Sequence, residues 1–253
     1  MAKKSLREKL KQGMPQLGMF IVSVDPAIVE IAAVAGMDFV VLDLEHGGSY
    51  YNIVEDMCRA ADASEIDLIV RVPASEYNSV FRPLDRGATG VQVPQVNDVE
   101  TAKRVAAATK YTPEGNRGAA RTRQSRWGSV PDYFAKANAR TVTAIHCETK
   151  ECVNNIDAIL SVPNIDVVFG GPMDLSHSYG MPGELSNPIV QKCIDTMLAS
   201  AKKHGVAAGI PAYSPEDAKK RIEQGFTYVA FMDDQHMLLS ALKSKVSAVD
   251  LKR

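Results

Sequence analysis

The 253-residue chain has little of what announces most function classes. Its four cysteines (Cys58, Cys147, Cys152, Cys193) form no CxxC pair and no even framework, which excludes a disulfide scaffold and reads as reduced thiols. Neither sign of charge is in excess. A total of 29 Lys and Arg against 30 Asp and Glu leaves a formal net charge of -1, so no nucleic-acid partner is expected. No apolar run of about 18 residues occurs, so no membrane span is expected. The N-terminal MAKKSLREKLKQG is charged throughout and lacks the apolar core of a signal peptide. These absences point to the cytoplasm.

What is present is a cadence: a helical pattern, a Gly or Pro stop, then a short apolar run. It recurs in IVEIAAVAG-MDFVVLD (28–43), VFRPLDRG-ATGVQVP (80–94), NNIDAILSVP-NIDVVFG (154–170) and DAKKRIEQG-FTYVAF (217–231). Glycine ends a helix because it accepts the left-handed conformation, and runs apolar on both faces suit a buried parallel sheet. Eight strands are predicted, at 17–22, 39–43, 67–72, 90–93, 141–147, 166–169, 206–210 and 228–231. Helices fit most clearly at 50–63, 98–109, 151–160, 187–204 and 215–224. An open doubly wound sheet would want a Gly-rich phosphate loop after its first strand. The sequence there is SVDPAIVE, so a single (β/α)8 barrel over residues 1–253 is expected. The longest irregular stretch is 112–130.

Barrel active sites lie at the C-terminal ends of the strands, and ionisable residues gather there. The second strand ends in Asp43-Leu44-Glu45-His46, the third carries Arg71, and the fifth finishes with His146 and Glu148 on one side. The sixth runs through Gly171, Pro172 and Met173 to Asp174. Charges in apolar strands are costly unless paired or ligated. Glu148 and Asp174 are hard oxygen ligands suited to Mg2+, Mn2+ or Co2+, with positions left for water and a bidentate 2-oxo acid. Such a metal and Arg71 would hold an enolate's charge, and His46, oriented by Asp43, would move the proton. Backbone N–H groups from Gly171 to Asp174 would receive the substrate carboxylate. Schiff-base chemistry would need a lysine in a strand. None is present, and Lys150 lies just past the fifth.

Each residue also has a plainer reading. Glu148 and Asp174 taken alone are a helix cap and a surface acid, and His46 is a structural histidine. Arg71 could simply pair with a buried acid, and His146 could be packed in the barrel. His177, His204 and His236 read as structural or exposed. Arg117, Arg121, Arg123 and Arg126 form a basic loop that is either solvated or subunit-facing, or that guides an acidic aldehyde into the site. Trp127, the only tryptophan, reads as a packing or interface anchor.

The order and spacing of DLEHG (43–47), VRVP (70–73), VQVP (91–94), YTPEGNRG (111–118), SRWG (125–128), CETKECVNNIDAIL (147–160) and FGGPMDLSHSYG (169–180) resemble the HpcH/HpaI family of metal-dependent class II pyruvate aldolases. The resemblance implies a barrel with a domain-swapped C-terminal helix, assembled as a hexamer from a trimer of dimers. It implies reversible cleavage of a 4-hydroxy-2-oxo acid to pyruvate and an aldehyde. It assigns Glu148 and Asp174 to the metal, His46 with Asp43 to proton transfer, and Arg71 to the keto oxygen. Pro172 and Met173 fall in the turn that holds the pyruvate carboxylate, and Glu45 and His146 stand behind the ligands. Three departures surround the pocket: His146 replaces a Gln, Leu44 a Gly, and Met173 a small residue. Oxaloacetate decarboxylation on the same site, or a non-catalytic barrel that binds a 2-oxo acid, are the alternatives.

Overall fold

The apolar runs become strands because their side chains, alternating in direction, are buried on both sides of one sheet. The computed structural model describes residues 4–48 and 50–249. Its strands are β1 (Gln16–Ile21), β2 (Phe39–Asp43), β3 (Asp67–Arg71), β4 (Gly90–Val93), β5 (Val142–Cys147), β6 (Val167–Gly170), β7 (Ala207–Ala212) and β8 (Tyr228–Phe231). They pair in chain order, all parallel, and β8 closes on β1. The barrel expected from the sequence is the one observed. Strand ends shift by a residue or so, and β7 runs on to Ala212.

The helices are α1 (Leu6–Lys11), α2 (Ala27–Val34), α3 (Tyr51–Ala63), α4 (Tyr77–Arg86), α5 (Val99–Thr109), α6 (Tyr133–Arg140), α7 (Lys150–Leu160), α8 (Pro172–Ser178), α9 (Pro188–His204), α10 (Pro215–Gln224) and α11 (Asp234–Ser247). Several starts are written in the chain. Asp98, Thr149 and Ser214 each accept an N–H of the first turn, satisfying donors that have no partner within the helix. At the other end of α9, Gly205 takes φ +66°, the left-handed stop that glycine adopts without penalty.

Two apolar layers follow from the strand alternation. One lies between the strands and the outer helices and includes Val40, Leu42, Leu68, Val70, Val91 and Ile145. The other fills the barrel: Phe39, Val41, Ile69, Val142, Ala144, Val167, Phe169 and Tyr228, with Leu6 and Leu10 of α1 packed against them. Phe39 and Tyr228 stack with ring centroids 4.2 Å apart. Glycine at position 18 makes room for them, since a Cβ there would sit 2.4 Å from the Phe39 ring. Continuing each inward series by two residues leads from Val41 to Asp43, from Ile69 to Arg71, and from Ala144 through His146 to Glu148. Period two therefore delivers the charged residues onto one mouth of the barrel.

The basic loop is long enough to bring its Asn116 carbonyl and Gly118 N–H onto the Tyr77 hydroxyl at the start of α4. It joins α5 to α6, ahead of β5, and contains a short 3-10 turn, Arg123–Ser125. Arg123 pairs with Asp62, Gln124 donates to the Ala88 carbonyl just before β4, and Arg117 is buried against Asp85 and the Tyr111 ring. Arg117 and Arg123 are thus taken up by ion pairs within the chain. Trp127 is largely exposed there.

Candidate active site

Asp43 and Arg71 are register partners on β2 and β3, so their side chains leave the sheet side by side. They form a two-pronged ion pair: Arg71 Nε donates to Asp43 Oδ1 at 2.9 Å and Nη2 to Oδ2. Asp43 Oδ1 also accepts the backbone N–H groups of Glu45 and His46. Burial alone would raise the Asp43 carboxyl; the Arg71 fork and these N–H groups outweigh it and hold its pKa below the usual carboxylate range. Arg71 reaches Glu45 as well, at 3.4 Å, and its guanidinium lies over the Phe20 ring. Burial keeps the Glu45 carboxyl above its ordinary value in spite of that cation.

This geometry changes one assignment. The Asp43 carboxylate is bonded to Arg71 and to the His46 backbone, so it orients the arginine and the turn and not the imidazole. The His46 ring is at the rim, 67% exposed, with Nε2 3.9 Å from Glu45 Oε2. Arg71 is the cation paired with a buried acid of the plain reading, and the pair lines the pocket.

Behind Glu148 runs a buried chain of hydrogen bonds that the sequence did not announce. Tyr228 OH donates to Gln92 Oε1 at 3.0 Å, which turns the Gln92 amide N–H toward His146 Nε2 at 2.7 Å. His146 then has its proton on Nδ1 and donates it to Glu148 Oε2 at 2.6 Å. Glu148 Oε1 accepts the Gln95 N–H at 2.7 Å. Burial opposes the charge on Glu148, but His146 and the Gln95 N–H prevail and its pKa is lowered. The one signal for Gln92 was a lone amide inside the apolar run VQVP; nothing in FTYVAF singled out Tyr228.

Glycine 171 permits the next feature. A Cβ there would lie 3.1 Å from Glu148 Oε2 and 3.4 Å from Asp174 Oδ2, so the two carboxylates face the same small space, which a side chain would fill. Asp174 is in the first turn of α8 and makes no capping bond; Gly171 holds the N-cap position. Among the described residues no three His, Cys, Asp or Glu side chains converge to enclose an ion. A pair of carboxylates is nonetheless the donor set of a hard cation that keeps water or substrate in its other positions, so the residues fit one. In the same turn Gly171 N–H is bonded to the Cys147 carbonyl and Pro172 has no N–H. Only Met173 and Asp174 therefore retain first-turn donors for a substrate carboxylate.

Asp43, Arg71, His146, Glu148 and the 171–174 turn line a pocket of about 170 Å³ with Phe20, Val22, Pro211, Tyr213, Phe231, Met232 and Asp233, while Glu45 and His46 lie outside its lining. Lys150 is exposed at the start of α7 and does not line it. His204 and His236 pair with Asp157 and Asp233, and His177 is exposed on α8.

The HpcH/HpaI aldolase/citrate lyase family model matches residues 16–241, nearly the whole barrel. The chain belongs to this family. A 5-keto-4-deoxy-D-glucarate aldolase of Klebsiella pneumoniae is 36% identical over 92% of the chain and 91% of its own length. A 2-keto-3-deoxy-L-rhamnonate aldolase of Salmonella gallinarum is 33% identical over 95% and 91%. The crystal structure of an HpcH/HpaI aldolase/citrate lyase family protein from Burkholderia cenocepacia superposes with a TM-score of 0.93 at 30% identity, covering 97% of this chain and 99% of that one. As an HpcH/HpaI protein, the chain is an aldolase-type carbon–carbon lyase. Among the described residues no helix is long and apolar enough to cross a membrane.

Proposed function

We propose that this lyase is divalent-metal-dependent and cleaves a 4-hydroxy-2-oxo acid to pyruvate and an aldehyde through a pyruvate enolate, in the cytoplasm. The observation that carries the reading is the convergence of Glu148 Oε2 and Asp174 Oδ2 over Gly171, in one pocket with Arg71. Glu148 and Asp174 would hold Mg2+, Mn2+ or Co2+, which when bound supplies Lewis-acid polarisation of the C2 carbonyl. Arg71, fixed by Asp43, donates to the C2 oxygen and shares its developing charge. The Met173 and Asp174 N–H groups receive the C1 carboxylate. His46 at the rim takes the proton of the C4 hydroxyl. The C4 oxygen then forms the aldehyde carbonyl, the C3–C4 bonding pair becomes the C2–C3 double bond of the enolate, and protonation at C3 gives pyruvate. The names of the relatives support deoxy sugar acids as the substrate class.

The test is exchange of the pyruvate methyl protons in D2O, followed by NMR with Mg2+ or Mn2+ and again with excess chelator. Exchange that requires both protein and metal is the expected result. Exchange that persists unchanged under chelation overturns the metal assignment, and absence of exchange with every metal overturns the enolate.

A further inference from the structure

We infer that Tyr228 and Gln92 are positioning residues for the metal site, holding the His146 ring so that its Nδ1–H keeps Glu148 Oε2 turned toward Asp174. The inference rests on the metal reading above and extends it to two residues that do not line the pocket.

Gln92, His146 and Tyr228 are buried in the layer that fills the barrel, beside Phe39, Ile69, Ala144 and Phe169, whose side chains offer no hydrogen bond. Polar groups are costly in such a layer unless they bond to one another. Topology brings them together. Gln92 is the register partner of Arg71 on β3 and of Ala144 on β5, and the inward series of β5 runs on from Ala144 to His146. Tyr228 comes from β8, the strand opposite β4 in the closed barrel.

The direction of the chain is fixed at its Tyr228 end. Gln92 Oε1 accepts the buried phenol proton at 3.0 Å. With the amide reversed, that proton would lose its acceptor, and Oε1 would face His146 Nε2, which has no proton while Nδ1 donates to Glu148. Both losses are of buried bonds, so the amide N–H stays on Nε2, at 2.7 Å. His146 is thereby bonded at both ring nitrogens, with the Phe169 ring beside it at 5.2 Å between centroids. A flip of the imidazole would break both bonds at once. Glu148 in turn has its oxygens divided. Oε1 accepts the Gln95 N–H, and Oε2, held by His146, is the oxygen that shares the space over Gly171 with Asp174. Without a fixed donor at His146, this carboxylate is free to rotate out of that space.

Mn2+ binding to the full chain is measured by electron paramagnetic resonance for wild type, Tyr228→Phe, His146→Ala and the double variant. Phenylalanine keeps the ring that stacks on Phe39 and removes only the hydroxyl. Tyr228→Phe is expected to raise the Mn2+ Kd about tenfold. In the His146→Ala background the same change is expected to alter it by less than about twofold, because effects carried along one chain of bonds do not add. Gln92→Met, close in volume but without the amide, is expected to match Tyr228→Phe and replaces it if that variant does not fold. The histidine 15N spectrum of the metal-free wild type is expected to show His146, assigned by its loss in His146→Ala, as the Nδ1–H tautomer. Wild-type affinity in Tyr228→Phe and Gln92→Met, an equal loss in both backgrounds, or an Nε2–H tautomer overturns the inference. A wild type that shows the Nδ1–H tautomer yet binds no Mn2+ overturns the metal reading instead.

Discussion

At the scale of single residues, the site was legible wherever a charge interrupts an apolar run. Asp43, Arg71, His146, Glu148 and Asp174 each stand at the end of such a run, and closure of the barrel brings them together. What one sequence does not show is which of them pair, because pairing follows from strand register. Asp43 and Arg71 are separated by 28 residues in the chain and lie directly opposite on adjacent strands. Arg71→Lys would keep the charge and lose the fork. We expect it to lower kcat by about 100-fold or more, the scale set by losing a positioned charge-stabilising donor; a rate within threefold of wild type would remove Arg71 from the chemistry. The His146 chain makes a different prediction. Groups bonded to a metal-ligating side chain orient it, and their loss typically weakens metal affinity by about 10- to 100-fold. His146→Ala should raise the metal concentration for half-maximal activity by that factor, whereas His146→Gln, which restores an N–H donor, should recover most of it. Equal behaviour of the two variants would mean that the ring only packs.

At the scale of elements, long periodic segments with a capping residue or a glycine stop were readable to within a residue or two, as α9 and α5 show. The short helices were not. Helix α1 has six residues and α8 seven, too few to establish a period, and α6 follows a loop whose composition masks its start. Their role appears only in the fold, where α1 meets α6 beneath the barrel. There Arg7 Nε donates to Asp166, and Lys110 Nζ to the carbonyls of Asn138 and Thr141. Lys110 is fully buried, and burial brings its pKa down to about 8 from an ordinary 10.5, although Asp166 opposes the shift. Below about pH 8 both folded and unfolded chains carry this proton, and the folded state bears the full cost of the buried charge. Between about 8 and 10.5 the unfolded chain still binds the proton that the folded chain has released, so this group makes stability rise with pH. Urea melts of wild type and Lys110→Met from pH 7.5 to 10 should therefore diverge, the wild type gaining on the variant above pH 8. Parallel curves would show that the ammonium is not destabilised in place. Gly18→Ala tests the same packing from inside the barrel: the added methyl must displace the Phe39 ring, and a loss of about 1–3 kcal/mol is expected from a shifted urea midpoint.

At the scale of the whole molecule, one chain leaves apolar surface that its own fold does not cover. On α11, Leu238, Leu239, Leu242 and Val246 are between 49% and 60% exposed. Leu239, Leu242 and Val246 follow the i, i+3, i+7 spacing of a helix face built to be buried. On α2, Ile31 and Val34 are 62% and 91% exposed and also share a face. The chain holds α11 at its start, where Asp233 caps it and Asp234 accepts the Val22 N–H at 2.9 Å, but among the described residues nothing buries the apolar stripe beyond that first turn. Contiguous apolar surface of this kind on a water-facing helix marks an interaction site. We expect a second copy to provide the cover, which agrees with the swapped C-terminal helix and hexamer implied by the family resemblance. Light scattering behind gel filtration should then return a multiple of the 27.4 kDa chain mass. The pair of changes Leu239→Glu and Leu242→Glu places two charges on the stripe and should reduce that mass while leaving the helical circular dichroism of the barrel in place. A wild-type particle of one chain mass at micromolar concentration would sink the expectation. Retention of the assembly in the doubly charged variant would move the contact away from α11, leaving the exposed pair on α2 as the next face to test.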